Sequence, residues 1–95
     1  MAKAKLVYHD KAALAEGSVV EMKIWALPQV TSARPHGLKY SLYFGRDGFR
    51  IVGYDNESGK GDHRHLRERE VAYRFTTVER LIADFLADVE RERQQ

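Results

Sequence analysis

The stretch TTVERLIADFLADV, residues 76–89, decides the fold class of this chain of 95 residues. Its apolar residues recur at spacings of three and four, which is the period of one helix face. Thr76 precedes Glu79 by three residues, a spacing typical of the capping box at a helix start. We therefore predict an amphipathic helix over about 77–93, whose apolar stripe needs a sheet to pack on. The residues of the stripe are Val78, Leu81, Ile82, Phe85, Leu86 and Val89.

Upstream of the helix, alternation of apolar and polar residues predicts β-strands. Residues 19–27 alternate with period two, and the runs 39–44 and 49–54 flank an Asp-Gly dipeptide that is typical of a tight antiparallel hairpin. Shorter strand-like runs lie at 5–9 and 71–75. The sequence thus predicts an α+β fold in a single domain over 1–95, a mostly antiparallel meander with the C-terminal helix packed on one face.

Two segments interrupt the alternation. Residues 28–38 contain both prolines of the chain, and we expect an irregular loop there. Residues 55–70 are polar, with two glycines and Leu66 as the one aliphatic residue. We expect this second segment to be a loop that carries the chemistry of the protein.

The composition excludes several classes of function. Sixteen Lys and Arg against fourteen Asp and Glu give a net charge of +2, which is too small for non-specific packing of nucleic acid. The chain has no cysteine, which excludes disulfides, thiolate metal sites and thiol nucleophiles. No early apolar run is long enough for a signal sequence or a membrane span, so we expect a cytoplasmic protein that makes no use of a membrane.

The densest group of chemically active side chains is the run KGDHRH that begins at Lys60. On an extended backbone His63 and His65 point to one side and Arg64 to the other. Metal-independent RNA cleavage needs a base for the 2′-hydroxyl proton, an acid for the leaving 5′-oxygen and cations near the phosphorane. We predict that His63 and His65 transfer the protons. Lys60 and Arg64 are expected to supply positive charge, and Asp62 to orient one imidazole.

The sheet face opposite the helix is expected to hold the RNA strand. Aromatic side chains interleaved with cations suit base stacking and phosphate contact. A solvated outer face of an antiparallel sheet has a similar composition, and a register error of one residue would exchange the two faces. The expected RNA-binding residues, on this face and in the polar segment, are Lys23, Lys39, Tyr43, Arg50, Tyr54, Asn56 and Arg64.

Other interpretations of the polar segment stay open. Its turn-forming residues also fit an ordinary solvent-exposed loop. His-x-His together with Asp55 or Asp62 offers nitrogen and oxygen ligands for a metal, although the spacing is not diagnostic and we expect no metal and no cofactor. The segment would equally serve a non-catalytic module that binds nucleic acid or a protein partner.

Five stretches together resemble the TumE family of small bacterial toxin proteins. They are KLV at 5–7, GYDN at 53–56, KGDHRH at 60–65, YRF at 73–75 and the helix 81–89 with its Asp-Phe pair. The resemblance spans almost the whole chain, and 60–65 is its most specific part. The residues that match the family pattern are Tyr54, Asp55, Asn56, Lys60, Asp62, His63, His65 and Tyr73.

This resemblance implies the toxin of a type II toxin-antitoxin pair. The implied activity is that of an endoribonuclease, with RNA as substrate and a cognate DNA-binding antitoxin as partner. A homodimer is left open.

Overall fold

A computed structural model of the chain describes residues 3–57 and 61–94. Within these residues six strands form one antiparallel sheet in sequence order, and the helix α1, Val78–Arg93, follows the last strand. This arrangement confirms the predicted α+β meander with a C-terminal helix. The strands are β1 Lys5–Ala13, β2 Ser18–Ala26, β3 Leu38–Arg46, β4 Phe49–Asp55, β5 His63–Leu66 and β6 Arg69–Ala72, with a short 3-10 helix at Ala15–Gly17.

The strand register collects the apolar side chains of the central strands on one face of the sheet. Met22 lies opposite Leu42, and Leu42 lies opposite Tyr54. All three side chains are buried, and α1 packs over them with its apolar stripe. The buried apolar core consists of Val20, Met22, Ile24, Tyr40, Leu42, Phe44, Val52, Tyr54, Leu81, Phe85 and Val89.

The helix begins one residue later than the sequence predicts. Thr77, not Thr76, is the N-cap, and its hydroxyl accepts a hydrogen bond of 3.0 Å from the Arg80 backbone N–H. Further along the helix, the buried Asp88 carboxylate accepts a hydrogen bond from the Tyr54 hydroxyl and lies 3.5 Å from Arg64. These polar contacts fix the helix over β4 and β5.

The β3–β4 and β5–β6 hairpins differ in how clearly the sequence predicts them. In the β3–β4 turn both Asp47 and Gly48 have positive φ, at 53° and 80°, as the predicted tight turn requires. The second hairpin, β5–β6, occupies part of the segment that we expected to be a loop, and β6 ends at Ala72 rather than at residue 75. Its turn places Arg67 at φ 56° without a glycine, so the usual sequence signal of a turn is missing.

The remaining connections are irregular. The segment between β2 and β3 forms bends and turns without helix or strand. None of the described residues form a helix with the length and apolar character needed to cross a membrane.

Candidate active site

The face of the sheet opposite the helix, termed the open face, carries the histidines of β5. The antiparallel register pairs His63 with Asp55 and His65 with Gly53. Gly53 in turn pairs with Tyr43 of β3. Since paired residues share a face, both imidazoles lie beside Asp55 on the open face, and Arg64 points to the helix side, as the alternation predicts.

The two imidazoles converge on one carboxylate. Their ring centroids are 4.9 Å apart with an interplanar angle of 79°. His63 Nε2 lies 2.6 Å from Asp55 Oδ1, and His65 Nε2 lies 3.7 Å from Asp55 Oδ2. Both imidazole rings are sheltered, because His63 is 6% exposed and His65 9%.

The second ring nitrogen of each histidine, Nδ1, also lies close to an oxygen atom, and the Glu70 carboxylate lies near both rings. His63 Nδ1 lies 3.0 Å from the Gly61 carbonyl oxygen, which only accepts, so the proton is on Nδ1. His65 Nδ1 lies 3.2 Å from Glu70 Oε2, a contact that favours a proton there too. Both Nε2 atoms are therefore the ones turned toward Asp55. We term Asp55, His63, His65 and Glu70 the Asp55 cluster.

One oxygen of Asp55 has no hydrogen-bond donor within residues 3–57 and 61–94. Oδ1 is buried, and among the described residues it has no hydrogen-bond partner. His63 Nε2 lies 2.6 Å from it, but this contact lacks hydrogen-bond geometry. A buried carboxylate oxygen without a donor is unfavourable, so Oδ1 is an unused acceptor position in the cluster.

Arg50 reaches the cluster through a β-bulge. The β3–β4 register shifts next to Gly45, which pairs with Arg50, so that Ile51 is an extra residue in β4. Such a bulge changes the direction of a neighbouring side chain. Arg50 then crosses Gly53, where a Cβ atom would lie 2.7 Å from Arg50 Cδ. Glycine at position 53 thus leaves the space in which the Arg50 side chain lies.

Burial of the ring lowers the pKa of His65, and the positive charge of Arg50 lowers it further. The carboxylates of Asp55 and Glu70 act in the opposite direction but with smaller effect. The neutral imidazole is therefore favoured at neutral pH. A neutral ring with Nε2 turned inward can accept a proton from a substrate.

A family comparison now identifies the chain. The family model described as Toxin TumE matches residues 2–93, essentially the whole chain. The chain belongs to the TumE toxin family. Membership gives the protein a toxin role and implies a cognate antitoxin as its partner. No curated protein and no solved structure shows a significant match to the chain.

In this TumE-family toxin, Asp62 orients neither His63 nor His65, contrary to our expectation. Its carboxylate accepts a hydrogen bond of 3.0 Å from the Tyr40 hydroxyl and lies 3.2 Å from His36 Nε2. Asp55 occupies the expected position instead, because cross-strand pairing places it beside His63. The predicted cation Lys60 lies outside the described residues.

Three of the expected RNA-binding residues of the toxin point away from the open face. Tyr54 is buried under the helix. The Asn56 side chain is buried, where it accepts from the Tyr40 backbone N–H and donates to the Leu38 carbonyl. Arg64 lies beside the buried Asp88. Alternation along β4 and β5 is the reason, since it assigns Tyr54 and Arg64 to the helix side.

The other four expected RNA-binding residues lie on the open face. Lys23 pairs across the sheet with Ser41, and Tyr43 and Arg50 lie near the Asp55 cluster. Lys39 Nζ lies 5.3 Å from the centroid of the Trp25 ring, a cation–π contact. The toxin thus has the expected basic and aromatic surface, with Arg50 as the cation next to the histidines.

Sequence reasoning missed two parts of the site. Glu70 received no role, although it lies directly opposite His65 in the β5–β6 pair. Gly53 was noticed only as part of the family pattern. Reading residues 63–72 as a hairpin would have placed Glu70 beside His65, but the space that Gly53 leaves for Arg50 depends on a bulge that has no sequence signal.

Proposed function

We propose that this toxin is an endoribonuclease that cleaves cytoplasmic RNA without a metal ion, with His63 and His65 as proton carriers. The observation that carries the proposal is the convergence of both Nε2 atoms on Asp55 at the open face, with the ring centroids 4.9 Å apart. Two imidazoles at this separation can serve the attacking and leaving oxygens of one phosphodiester. Acid–base transfer of this kind needs no other cofactor.

The two rings have different roles in this proposal. His65 is the base, because burial and Arg50 favour its neutral form. It removes the 2′-hydroxyl proton, and the 2′-oxygen attacks phosphorus. His63, the second imidazole of the pair, is then assigned the acid role, with its Nε2 beside Asp55 on the same side as that of His65. It protonates the 5′-oxygen as the phosphorus–oxygen bond breaks, which leaves a 2′,3′-cyclic phosphate and a 5′-hydroxyl.

Positive charge for the phosphorane comes from Arg50. Its guanidinium group stabilises charge that develops on the non-bridging oxygens. Arg50 and Glu70 are both exposed and have long, flexible side chains. When Arg50 turns toward the phosphate, the RNA phosphodiester reaches the two sheltered imidazole rings. Lys23 and Lys39 then contact flanking phosphates, and Trp25 offers a ring for base stacking.

Product analysis in a chelator tests this function. The purified toxin is incubated with a defined RNA in EDTA, and the product ends are identified by mass spectrometry. We expect a 2′,3′-cyclic phosphate or its 3′-phosphate hydrolysis product. His63→Ala/His65→Ala should lose the activity. His9→Ala is the matched control, because His9 forms a 2.9 Å ion pair with Glu21 away from the Asp55 cluster. Cleavage that survives the double substitution would contradict the assignment.

The second candidate function is a non-catalytic module that binds nucleic acid or a protein partner. The contact of Lys39 with Trp25 and the low exposure of both histidine rings favour it. Such a module would shift an RNA band and leave the RNA intact, with the shift weakened by Lys39→Ala and unchanged by His63→Ala/His65→Ala. In either function we propose that the implied antitoxin binds DNA.

A further inference from the structure

We infer that the Asp55 cluster also binds one divalent transition-metal ion such as Zn²⁺, held by Asp55, His63 and His65, and that the bound ion inhibits the toxin. The inhibitory part rests on the proposed function, whereas the binding part rests on the geometry alone. The three side chains offer ligand atoms that all lie within 4.8 Å of one another.

The donor set selects the class of ion. Two imidazole nitrogens and a carboxylate oxygen are typical ligands of Zn²⁺ and its neighbours in the first transition row. Mg²⁺ and Ca²⁺ instead prefer an all-oxygen environment with six or more ligands. The cluster is therefore expected to discriminate against the abundant hard cations and in favour of Zn²⁺.

The outer contacts match those of metal-bound histidines. A histidine ligand commonly donates its other ring N–H to a carbonyl or carboxylate, which orients the ring and its free nitrogen. His63 has this arrangement through the Gly61 carbonyl oxygen at 3.0 Å, and the Glu70 carboxylate lies 3.2 Å from Nδ1 of His65. Both inner nitrogens are thus oriented toward Asp55 before any ion binds.

Charge and hydrogen bonding point to a cation at the same place. Asp55 Oδ1 is buried and has no hydrogen-bond partner among the residues that the structure describes. In the part of the chain that the structure describes, the two carboxylates of the cluster outnumber the one guanidinium, that of Arg50, that acts on His65. A bound cation would supply the missing partner of Oδ1 and offset the excess negative charge.

Inhibition follows from competition for the same atoms. An ion on the Nε2 atoms blocks the positions at which His65 accepts and His63 donates a proton, and its binding releases a proton from any Nε2 that carries one. Three protein ligands would leave a further position for water. The toxin would therefore lose cleavage activity in proportion to occupancy of the site.

Two other histidine–carboxylate pairs provide matched controls. His9 meets Glu21 at 2.9 Å on the exposed part of the sheet, with no second imidazole on that carboxylate among the described residues. His36 Nδ1 accepts a hydrogen bond from the Leu38 backbone N–H, so its other nitrogen carries the proton. Neither pair offers converging lone pairs.

The experiment is a calorimetric titration of EDTA-treated, dialysed toxin with ZnCl₂, supported by the visible spectrum after Co²⁺ addition. We expect one ion per chain in the wild type and in His9→Ala. His63→Ala/His65→Ala and Asp55→Ala should lose stoichiometric binding. Glu70→Ala should weaken it about 10- to 100-fold, as the loss of an outer contact typically does. Glu70 is exposed, so this variant keeps the test valid if a histidine variant fails to fold, which circular dichroism would show.

The outcomes separate the two proposals. Absent binding, or identical binding by wild type and His63→Ala/His65→Ala, would overturn the ion site. If Zn²⁺ binds and cleavage in the titrated sample continues unchanged, the inhibitory role is overturned. If EDTA abolishes cleavage and the ion restores it, the metal-independent mechanism is wrong and the ion site stands. The expected result is cleavage in EDTA that stops as one equivalent of Zn²⁺ binds.

Discussion

Two histidine–aspartate groups lie on opposite sides of the sheet and use their ring nitrogens in opposite directions. On the helix side, His36 Nδ1 accepts from the Leu38 backbone N–H at 3.2 Å, which leaves its Nε2 proton directed at Asp62. On the open face, His63 Nδ1 faces the Gly61 carbonyl instead, and Nε2 is turned toward Asp55. The backbone group that each Nδ1 meets therefore fixes the role of the other nitrogen.

This difference separates a structural histidine from a reactive one. The Asp62 carboxylate accepts from both the Tyr40 hydroxyl and His36, so its hydrogen bonds connect the proline-containing segment to the core. Asp55 Oδ1 has no donor among the described residues, and two imidazoles surround its carboxylate. We expect changes at Asp62 and its partners to alter stability and changes in the Asp55 cluster to alter activity.

The largest expected effect is the loss of cleavage in histidine variants of the open face. His63→Ala or His65→Ala should lower the rate on the order of 10²- to 10⁴-fold, since each removes one acid–base group. His36→Ala should retain the wild-type rate, because His36 contacts Asp62 and not the Asp55 cluster. Initial rates on a fluorescent RNA give the comparison, and equal losses in all three variants would remove the distinction between the two groups.

The next effect concerns the cation of the open face. Arg50→Ala should lower the rate about 10²- to 10³-fold, the range seen when one transition-state donor is removed. Gly53→Ala should also lower the rate, but by a smaller factor. Its new Cβ would lie 2.7 Å from Arg50 Cδ and displace that side chain. The measurement is the cleavage rate at saturating RNA.

Arg46→Ala is the control for charge, since Arg46 pairs with the exposed Glu16 at 3.2 Å. A rate for Arg46→Ala as low as that of Arg50→Ala would show that net charge, not position, matters.

A smaller effect should appear in stability. Asp62→Ala removes the acceptor of the Tyr40 hydroxyl and of His36, and should lower the free energy of unfolding by about 1–3 kcal/mol. Asp55→Ala should lower it less, because Oδ1 of that carboxylate has no hydrogen bond to lose among the described residues. Urea denaturation measures both variants. A larger loss for Asp55→Ala would contradict the structural role assigned to Asp62.

The smallest effect is a pH dependence of stability. Burial raises the pKa of Tyr40 above its ordinary value of 10.0, and the Asp62 carboxylate adds to the shift. In the unfolded chain Tyr40 ionises near pH ~10, while the folded protein keeps the proton. This contribution to stability is complete below that pH and decreases as pH rises above it. In urea denaturation between pH 8 and 11, the free energy of unfolding should decrease less steeply with pH for Tyr40→Phe than for wild type. Parallel slopes would contradict the assignment.

The sequence was sufficient for most of the fold. The helix stripe, the alternation in β2 and the Asp47-Gly48 turn are local patterns, and each predicts an element that the structure contains. The predicted N-cap, Thr76, is wrong by one residue, because the neighbouring Thr77 has the same side chain and caps the helix instead. Strand β5 and the start of β6 were missed because Leu66, the one aliphatic residue of 55–70, gives no clear alternation there.

The candidate site could be predicted only in part. The position of His63 and His65 on one face follows from strand geometry, and the structure shows it. Whether Asp55 or Asp62 meets them depends on the cross-strand register, which a local pattern does not specify. The bulge that turns Arg50 toward the open face is likewise a property of two strands together.

The most direct test of this account is the imidazole ¹⁵N spectrum of EDTA-treated toxin, in which couplings to the ring protons identify the protonated nitrogen. We predict a proton on Nδ1 of His63 and of His65, and a bare Nδ1 on His36. A bare Nδ1 on His63 or His65, or a proton on Nδ1 of His36, would contradict the proposed division between a reactive and a structural group.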